Sequence, residues 1–422
     1  MNTLTFLLAV GTVSILVSCG SGGSSTNTDL GTDDSTIAFS SKILLGESLF
    51  ADKNLSLTRN TSCATCHDSE RAFIDARFSQ AGIDQDIFIN GAFSVGDDGF
   101  SLGGRNTPTA MYTQFSPTFS KTVSGYKGGQ FHDGRAVTLK DQAKKPPLDQ
   151  AEMQMPNSTE LVARIAENKD YVEAFEVLYG ANIFDDIEAA YDAMGDAIST
   201  FEKSKVFAPF SSKYDKFNTC RDNGGSTSTC YNDGAWTTKE QLGHSLFFSA
   251  NNTNCASCHA LNSSSEASNR ELFTNFKYEN IGVPRNISAM DARAALGLQE
   301  ANATFEGLGA TVKLTDANWQ THLGKTKVPT LRNVAVTGPY MNNGVFQNLS
   351  TAIAFYDHMA GHGHHTNPET GNVWGENDHN ATINHALLQQ KVLDDGKIKA
   401  LEAFLRTLTD AQYESLMPPF SP

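Results

Sequence analysis

Apolar residues recur at three- and four-residue steps over long stretches of this chain. Between positions 158 and 179 they fall at Leu161, Val162, Ile165, Tyr171, Ala174, Phe175 and Leu178, the spacing that lines one face of an α-helix. Residues 183–201 repeat the pattern, and Ile398, Leu401, Phe404, Leu405 and Leu408 form a last helical face. Alternating apolar and polar runs, the mark of half-buried strands, are scarce. The pattern predicts a mainly α fold with long loops. Two regions depart from it. Residues 4–17 are apolar but too short to span a bilayer comfortably. Residues 20–41 are Gly, Ser, Thr and Asp with almost no large apolar side chain, a composition that cannot bury a core.

The helical pattern contains a duplication. Leu45-Gly46-Glu47-Ser48-Leu49-Phe50 returns as Leu242-Gly243-His244-Ser245-Leu246-Phe247. Each copy precedes the same five-residue pattern, first Cys63-Ala64-Thr65-Cys66-His67, then Cys255-Ala256-Ser257-Cys258-His259. Cys-x-x-Cys-His is the attachment motif of c-type haem: the two thiols add across the vinyl groups, and the adjacent His ligates the iron. The alternatives are a zinc site or a disulfide. Zinc wants a second Cys pair or a His pair close by, whereas here each Cys pair ends in its own His. The repeat predicts two cytochrome-c-like haem domains, residues 42–218 and 236–422, joined by a linker loop at 219–235. The helix starting at each Leu-Gly copy is expected to pack its Leu and Phe on a haem edge.

Haem attachment of this kind happens on an exported chain, and the N-terminus agrees. Residues 1–18 read as a signal peptide. Leu16-Val17-Ser18-Cys19 resembles the lipobox of bacterial lipoproteins, which makes Cys19 a lipidated N-terminus and residues 19–41 a flexible tether. The usual basic residues ahead of the apolar stretch are missing; the alternative is a plain secretory signal. The expected location is the periplasmic side, anchored by lipid to a bacterial membrane, with the outer membrane favoured. Of the seven cysteines, Cys220 and Cys230 remain; in an oxidising compartment they are expected to close a loop as a disulfide, the alternative being two free thiols. The net charge of −15 excludes nucleic-acid binding by bulk electrostatics.

Longer strings surround the haem motifs. They are Arg71-Ala72-Phe73-Ile74-Asp75; Gly104-Arg105-Asn106-Thr107-Pro108-Thr109; Phe131-His132-Asp133-Gly134-Arg135, followed by Gln142, Pro146 and Glu152-Met153; and Val328-Pro329-Thr330-Leu331-Arg332-Asn333, followed by Thr337-Gly338-Pro339-Tyr340. Together they resemble the bacterial di-haem cytochrome c peroxidase and MauG family over roughly residues 44–410. Two haem motifs alone would also fit a non-enzymatic electron carrier.

The resemblance implies the following roles. His67 is the proximal ligand of a peroxide-reacting first haem. Many cytochrome c peroxidases of the family carry a second, removable His soon afterwards; residues 78–85 contain none, so the first iron is expected to be permanently open, as in MauG-like members. Glu152 falls at the distal acid position, where a carboxylate takes the proton from peroxide and returns it to the leaving oxygen. Gln142 is a distal amide, and Pro146 shapes the same pocket. His259 holds the second haem, and Tyr356 falls at the sixth-ligand position of MauG-like enzymes, with Met359, His358 and Met341 as rivals. Asn106 and the carbonyls of Thr337 and Pro339 match a calcium site, whose hard oxygen donors suit that ion. His132 stands where the family usually has an inter-haem Trp, and an imidazole is harder to oxidise than an indole. The tract containing His358, His362, His364 and His365 is read as a polar loop, with copper, zinc or nickel binding as the alternative. The expected reaction is reduction of H2O2 at the expense of a donor. That donor is a periplasmic cytochrome or copper protein, or the Trp or Tyr side chains of a protein substrate.

Overall fold

Helices form where a capping side chain precedes an apolar stripe. Ser41 caps α1 (Lys42–Ala51) by accepting the Leu44 amide, and the chain continues through α2 (Cys63–Cys66), α3 (Leu139–Ala143), α4 (Ser158–Ala166), α5 (Lys169–Tyr179) and α6 (Ile187–Phe201). The second half contains α7 (Lys213–Asp222), α8 (Thr227–Asp233), α9 (Thr238–Phe247), α10 (Ile287–Ala295), α11 (Leu308–Val312), α12 (Leu349–Met359), α13 (His385–Leu388) and α14 (Asp395–Arg406). Among the described residues, strand structure is confined to two short antiparallel pairs. β1 (Ser120–Thr122) lies on β2 (Gly125–Lys127), and β3 (Tyr278–Glu279) on β4 (Thr326–Lys327), with Tyr278 opposite Lys327. The structure is a computed structural model and describes residues 39–79, 90–261, 271–300 and 302–420. The expectations for the signal peptide, for Cys19 and most of the tether, and for residues 80–85 lie outside the described residues. No helix among the described residues is long and apolar enough to cross a membrane.

Four sequence expectations are corrected in detail, the last of them with the core below. The periodic stretch 158–179 forms two helices, because Asn168 accepts the Asp170 amide and starts a new one. Residues 219–235 are mostly helical: they hold the end of α7 and all of α8, and Ser226, one of the Ser residues that suggested a loop, caps α8. The Cys220–Cys230 disulfide ties these two helices together. The tether was expected to reach residue 41, yet Phe39 already packs on Tyr171.

Two main apolar clusters fill the unit 37–422. One is built on Leu45, Leu49, Phe50, Leu161, Phe175, Met194 and Phe207. The other is built on Tyr214, Trp236, Phe247, Phe273, Leu401 and Phe404. The duplicated Leu-Gly motif lies within α1 and α9 and runs to the end of α9, rather than starting either helix. Its glycine is a contact point in both copies. A Cβ on Gly46 would overlap the Ala197 carbonyl on α6, and one on Gly243 would overlap the Ala400 carbonyl on α14. Phe201 and Phe404 stand beside the respective crossings. Gly→Ala at either site gains helix propensity worth at most about 1 kcal/mol, but backbone overlap in a packed core outweighs it. Gly46→Ala and Gly243→Ala are each expected to destabilise by about 1–3 kcal/mol. Thermal melts of the haem-loaded protein test this; an unchanged or raised midpoint would show that the helices can part without loss.

Candidate di-haem site

Both Cys-x-x-Cys-His segments form a single helical turn. The first is α2, closed by a capping box between Ser62 and Thr65; the second is the 3-10 turn Cys255–Ser257, entered through Asn254 in the left-handed region. The His67 amide donates to the Cys63 carbonyl at 2.9 Å, and His259 to Cys255 at 3.0 Å. The rings are held alike. His67 Nδ1 lies 2.9 Å from the Phe73 carbonyl, and His259 Nδ1 lies 3.1 Å from that of Phe273. Phe73 and Phe273 have φ of 55° and 56°, the left-handed conformation that turns each carbonyl toward its ring. A carbonyl can only accept, so Nδ1 carries the proton and Nε2 is left as a ligand atom. Burial lowers both imidazole pKa values, that of His259 to about 4, which keeps the rings in the neutral form that binds metal.

The same support recurs one layer out. Thr109 Oγ1 donates to the Ala72 carbonyl at 2.5 Å and Thr330 Oγ1 to the Leu272 carbonyl at 2.7 Å. Each hydroxyl also receives the amide two residues on, Met111 or Arg332. The sequence reading missed Phe73 and Phe273 as anchors and did not pair the two Pro-Thr turns. The signal exists, in Ala72-Phe73 against Leu272-Phe273 and Pro108-Thr109 against Pro329-Thr330. It is hidden because Phe73 follows its His by six residues and Phe273 by fourteen.

Cys63, Cys66, Cys255 and Cys258 form no disulfide and are half-buried. Burial pushes the thiols up, Cys66 to about 12 and Cys255 and Cys258 to about 11, so they stand as neutral thiols beside a correctly oriented His. Free paired thiols and a neutral His held through Nδ1 are what covalent haem needs, and both segments supply them.

The proposed distal residues lie on one continuous segment. Gln142 sits on α3, and Pro146 opens the 3-10 turn Pro146–Leu148. The Pro146 carbonyl accepts the Met153 amide at 3.2 Å, which folds the turn carrying Glu152 back on it. The Glu152 backbone is pinned by Asp97, whose amide donates to it at 2.8 Å. Its carboxyl makes no hydrogen bond to the described residues. Burial, with a contribution from Asp149, pushes its pKa up to about 7 against the opposing pull of Arg135. Its charge acts on both the Cys63 and Cys66 thiols, so it lies near them. A second carboxyl there, Glu202, was not foreseen. It is 5 % exposed, its Oε2 has no hydrogen-bond partner, and burial raises its pKa to about 8.

At the second motif, the Tyr356 phenol on α12 is buried, which raises its pKa, and the Cys258 and Cys255 thiols raise it further. Tyr356 therefore lies near that cysteine pair. Its rivals are engaged elsewhere. His358 stacks on Trp374, with centroids 5.4 Å apart. Met359 packs on Gly282, and Met341 lies in the Phe346 cluster.

Asn106 donates its side-chain amide to the carbonyls of Gly91 and Ala92 at 3.1 and 3.3 Å, which leaves Oδ1 as a free acceptor. Its backbone amide reaches Asn342 at 3.0 Å. The carbonyls of Thr337 and Pro339 accept no hydrogen bond from the described residues, so three oxygens remain for a hard cation. His132 Nε2 donates to the Asn106 carbonyl at 3.0 Å, and burial lowers its pKa to about 4; the ring is neutral. In the His-rich loop, His364 bonds Asp357 and Asp395, and His362 bonds the Gln390 carbonyl. Among the described residues, no group of three or more His, Cys, Asp or Glu is placed to hold a metal ion.

Comparison with known proteins points to one family. The methylamine utilization protein MauG of Paracoccus denitrificans (strain Pd 1222) is 43 % identical over 377 residues, covering 88 % of this chain and 89 % of that protein. The chain belongs to the di-haem cytochrome c peroxidase and MauG family. Residues 40–223 match the family model described as di-haem cytochrome c peroxidase. The cytochrome c peroxidase Ccp of Escherichia coli (strain K12) is 27 % identical over 74 % of the chain and 52 % of its own length. The crystal structure of the diheme peroxidase BthA from Burkholderia thailandensis E264 superposes with a TM-score of 0.75 at 30 % identity, covering 90 % of this chain and 88 % of that one. As a member of this family the protein is an oxidoreductase, and the family implies two c-type haems.

Proposed function

We propose that the protein is a di-haem c-type peroxidase of the MauG-like branch. In this reading it acts on the periplasmic side of a bacterial membrane, tethered by lipid at Cys19, and is organised as two cytochrome-c-like halves, residues 42–218 and 236–422. It reduces H2O2 and oxidises a protein donor, either a small redox protein or the Trp or Tyr side chains of a partner. The haems attach through Cys63 and Cys66 and through Cys255 and Cys258, with His67 and His259 as proximal ligands and Tyr356 as the sixth ligand of the second. When bound, they supply the electrons and the site at which peroxide reacts. Glu152 accepts the proton of incoming peroxide and returns it to the departing oxygen. Gln142 orients the substrate by hydrogen bonding, and Pro146 fixes the turn that presents Glu152. Ca²⁺ binds Asn106 Oδ1 and the carbonyls of Thr337 and Pro339, with water completing the shell. Neutral His132 is a poor stepping stone, so either other groups carry electrons between the halves or the two haems are coupled more weakly than with a Trp there.

The observation that carries this reading is Glu152, a half-buried carboxyl that makes no hydrogen bond to the described residues and whose charge reaches both thiols of the first cysteine pair. A pure electron carrier has no use for such a group. Electron paramagnetic resonance of the ferric protein should show one high-spin and one low-spin haem; two low-spin signals of equal weight would refute an open first iron. Tyr356→Phe removes one oxygen and leaves the packing. The low-spin signal should change, and the potential of the second haem should rise as an anionic donor is lost. Wild-type spectra and potential in that variant, with changes in Met359→Leu or His358→Ala, would move the ligand.

A further inference from the structure

A half-buried acid–base pair that the peroxide chemistry does not use lies near the second haem motif. Tyr231, on α8, places its hydroxyl 2.6 Å from His244 Nδ1, on α9. Around His244 are the rings of Tyr214, Phe217, Trp236, Phe248 and Phe404, with centroids 5.1–5.9 Å away. In the first copy of the duplicated motif the same position is Glu47, which is exposed. The second copy thus puts a base into an apolar cage where packing alone would select Leu or Phe. Burial lowers the pKa of His244 to about 4 and raises that of the Tyr231 phenol. Both groups are therefore neutral, and in the tautomer that keeps its proton on Nε2 the imidazole accepts at Nδ1 from the phenol.

The pair is joined to the haem site by rings in contact. Tyr231 stacks on Phe217 at 5.0 Å, Phe217 meets Tyr214 at 6.0 Å, and Tyr214 meets Phe273 edge-on at 4.9 Å. Phe273 supplies the carbonyl that holds His259. At the other end Tyr231 is half-buried, and its chain neighbours Asn232 and Asp233 are exposed.

We propose that Tyr231 and His244 form a proton-coupled redox site that passes single electrons between the protein surface and the second haem. Tyr231 gives one electron to the peroxide-oxidised haem site, which is reduced by one electron. The phenolic O–H bond breaks as the proton moves to His244 Nδ1, leaving a neutral tyrosyl radical and an imidazolium. An external one-electron donor then reduces the radical, and the proton returns to the phenol oxygen. Even a weakened imidazole is a far stronger base than an oxidised phenol, so transfer along this bond makes the oxidation accessible. The relay rests on the peroxidase reading above.

The test is freeze-quench electron paramagnetic resonance of the haem-loaded protein mixed with H2O2 without donor, with the haem absorption spectrum followed in parallel. The wild type should give a tyrosyl signal that is lost in Tyr231→Phe, which keeps the ring, and in His244→Gln, which keeps an acceptor but cannot take the proton. A signal that survives both substitutions, or a wild type whose haem spectrum responds to peroxide without any tyrosyl signal, overturns the relay. A haem spectrum that does not respond to peroxide overturns the peroxidase reading, and the relay with it.

Discussion

Glu152→Gln is expected to slow reaction with H2O2 by about 10²-fold or more, the scale of lost general acid–base catalysis, while both haems stay attached. The amide keeps the size of the side chain and can still donate a hydrogen bond, but it cannot accept the peroxide proton. The pH profile gives a second, independent signature. Burial pushes the Glu152 pKa up to about 7, so the carboxyl is protonated and useless as a base below neutral pH and ionised above it. The wild-type bimolecular rate should therefore rise between about pH 6 and pH 8, and that limb should vanish in the variant. Stopped-flow mixing with peroxide measures both. Glu202, the other unpartnered carboxyl near Cys63, is the natural rival. A limb that persists in Glu152→Gln and disappears in Glu202→Gln would transfer the role to it, and an unchanged rate in a fully loaded Glu152→Gln would remove Glu152 from the mechanism.

What could be read from the chain was what local chemistry writes into it. The haem motifs, the helical faces and the Leu-Gly duplication depend on residue type and short spacing, and the helical segments stand in the structure. The Leu-Gly repeat was visible, but its meaning was not: the glycines mark two helix crossings, on Ala197 and Ala400, and a packing partner roughly 150 residues away leaves no trace in the motif itself. Phe73 and Phe273 escaped for a related reason. Their backbone carbonyls do the work, through a left-handed φ, and no side-chain pattern announces a carbonyl. Glu202 looked like any acidic residue at a helix end; only the fold buries it beside Cys63. Conversely, Ser226 was read as a loop residue because Ser favours both loops and helix caps, and only the following residues of α8 decide between them.

Arg332→Met is expected to destabilise the folded protein by about 3–5 kcal/mol, the usual cost of breaking a buried ion pair from one side. Arg332 is 1 % exposed. Its guanidinium makes two 2.7 Å bonds to Asp215 and one of 2.6 Å to the Glu271 carbonyl. The group lies over the rings of Phe210, Tyr112 and Phe273 at 5.0–5.7 Å. Methionine fills much of that space but leaves the Asp215 carboxylate buried with only the Ser212 cap to bond it. The loss should thus come mainly from the orphaned charge, and Arg332→Met combined with Asp215→Leu should recover much of it. Recovery will be incomplete, because Asp215 also closes the capping box of α7, worth about 0.5–2 kcal/mol. The site should feel the change as well. Arg332 follows Thr330, which pins Leu272, and packs on Phe273, whose carbonyl orients His259. Unfolding followed by far-ultraviolet circular dichroism and by the absorption of the second haem should therefore shift together. A melt unchanged by Arg332→Met would mean that desolvation cancels the pair. A helical transition that falls while the haem signal holds would mean that the Phe273 anchor stands without the guanidinium beside it.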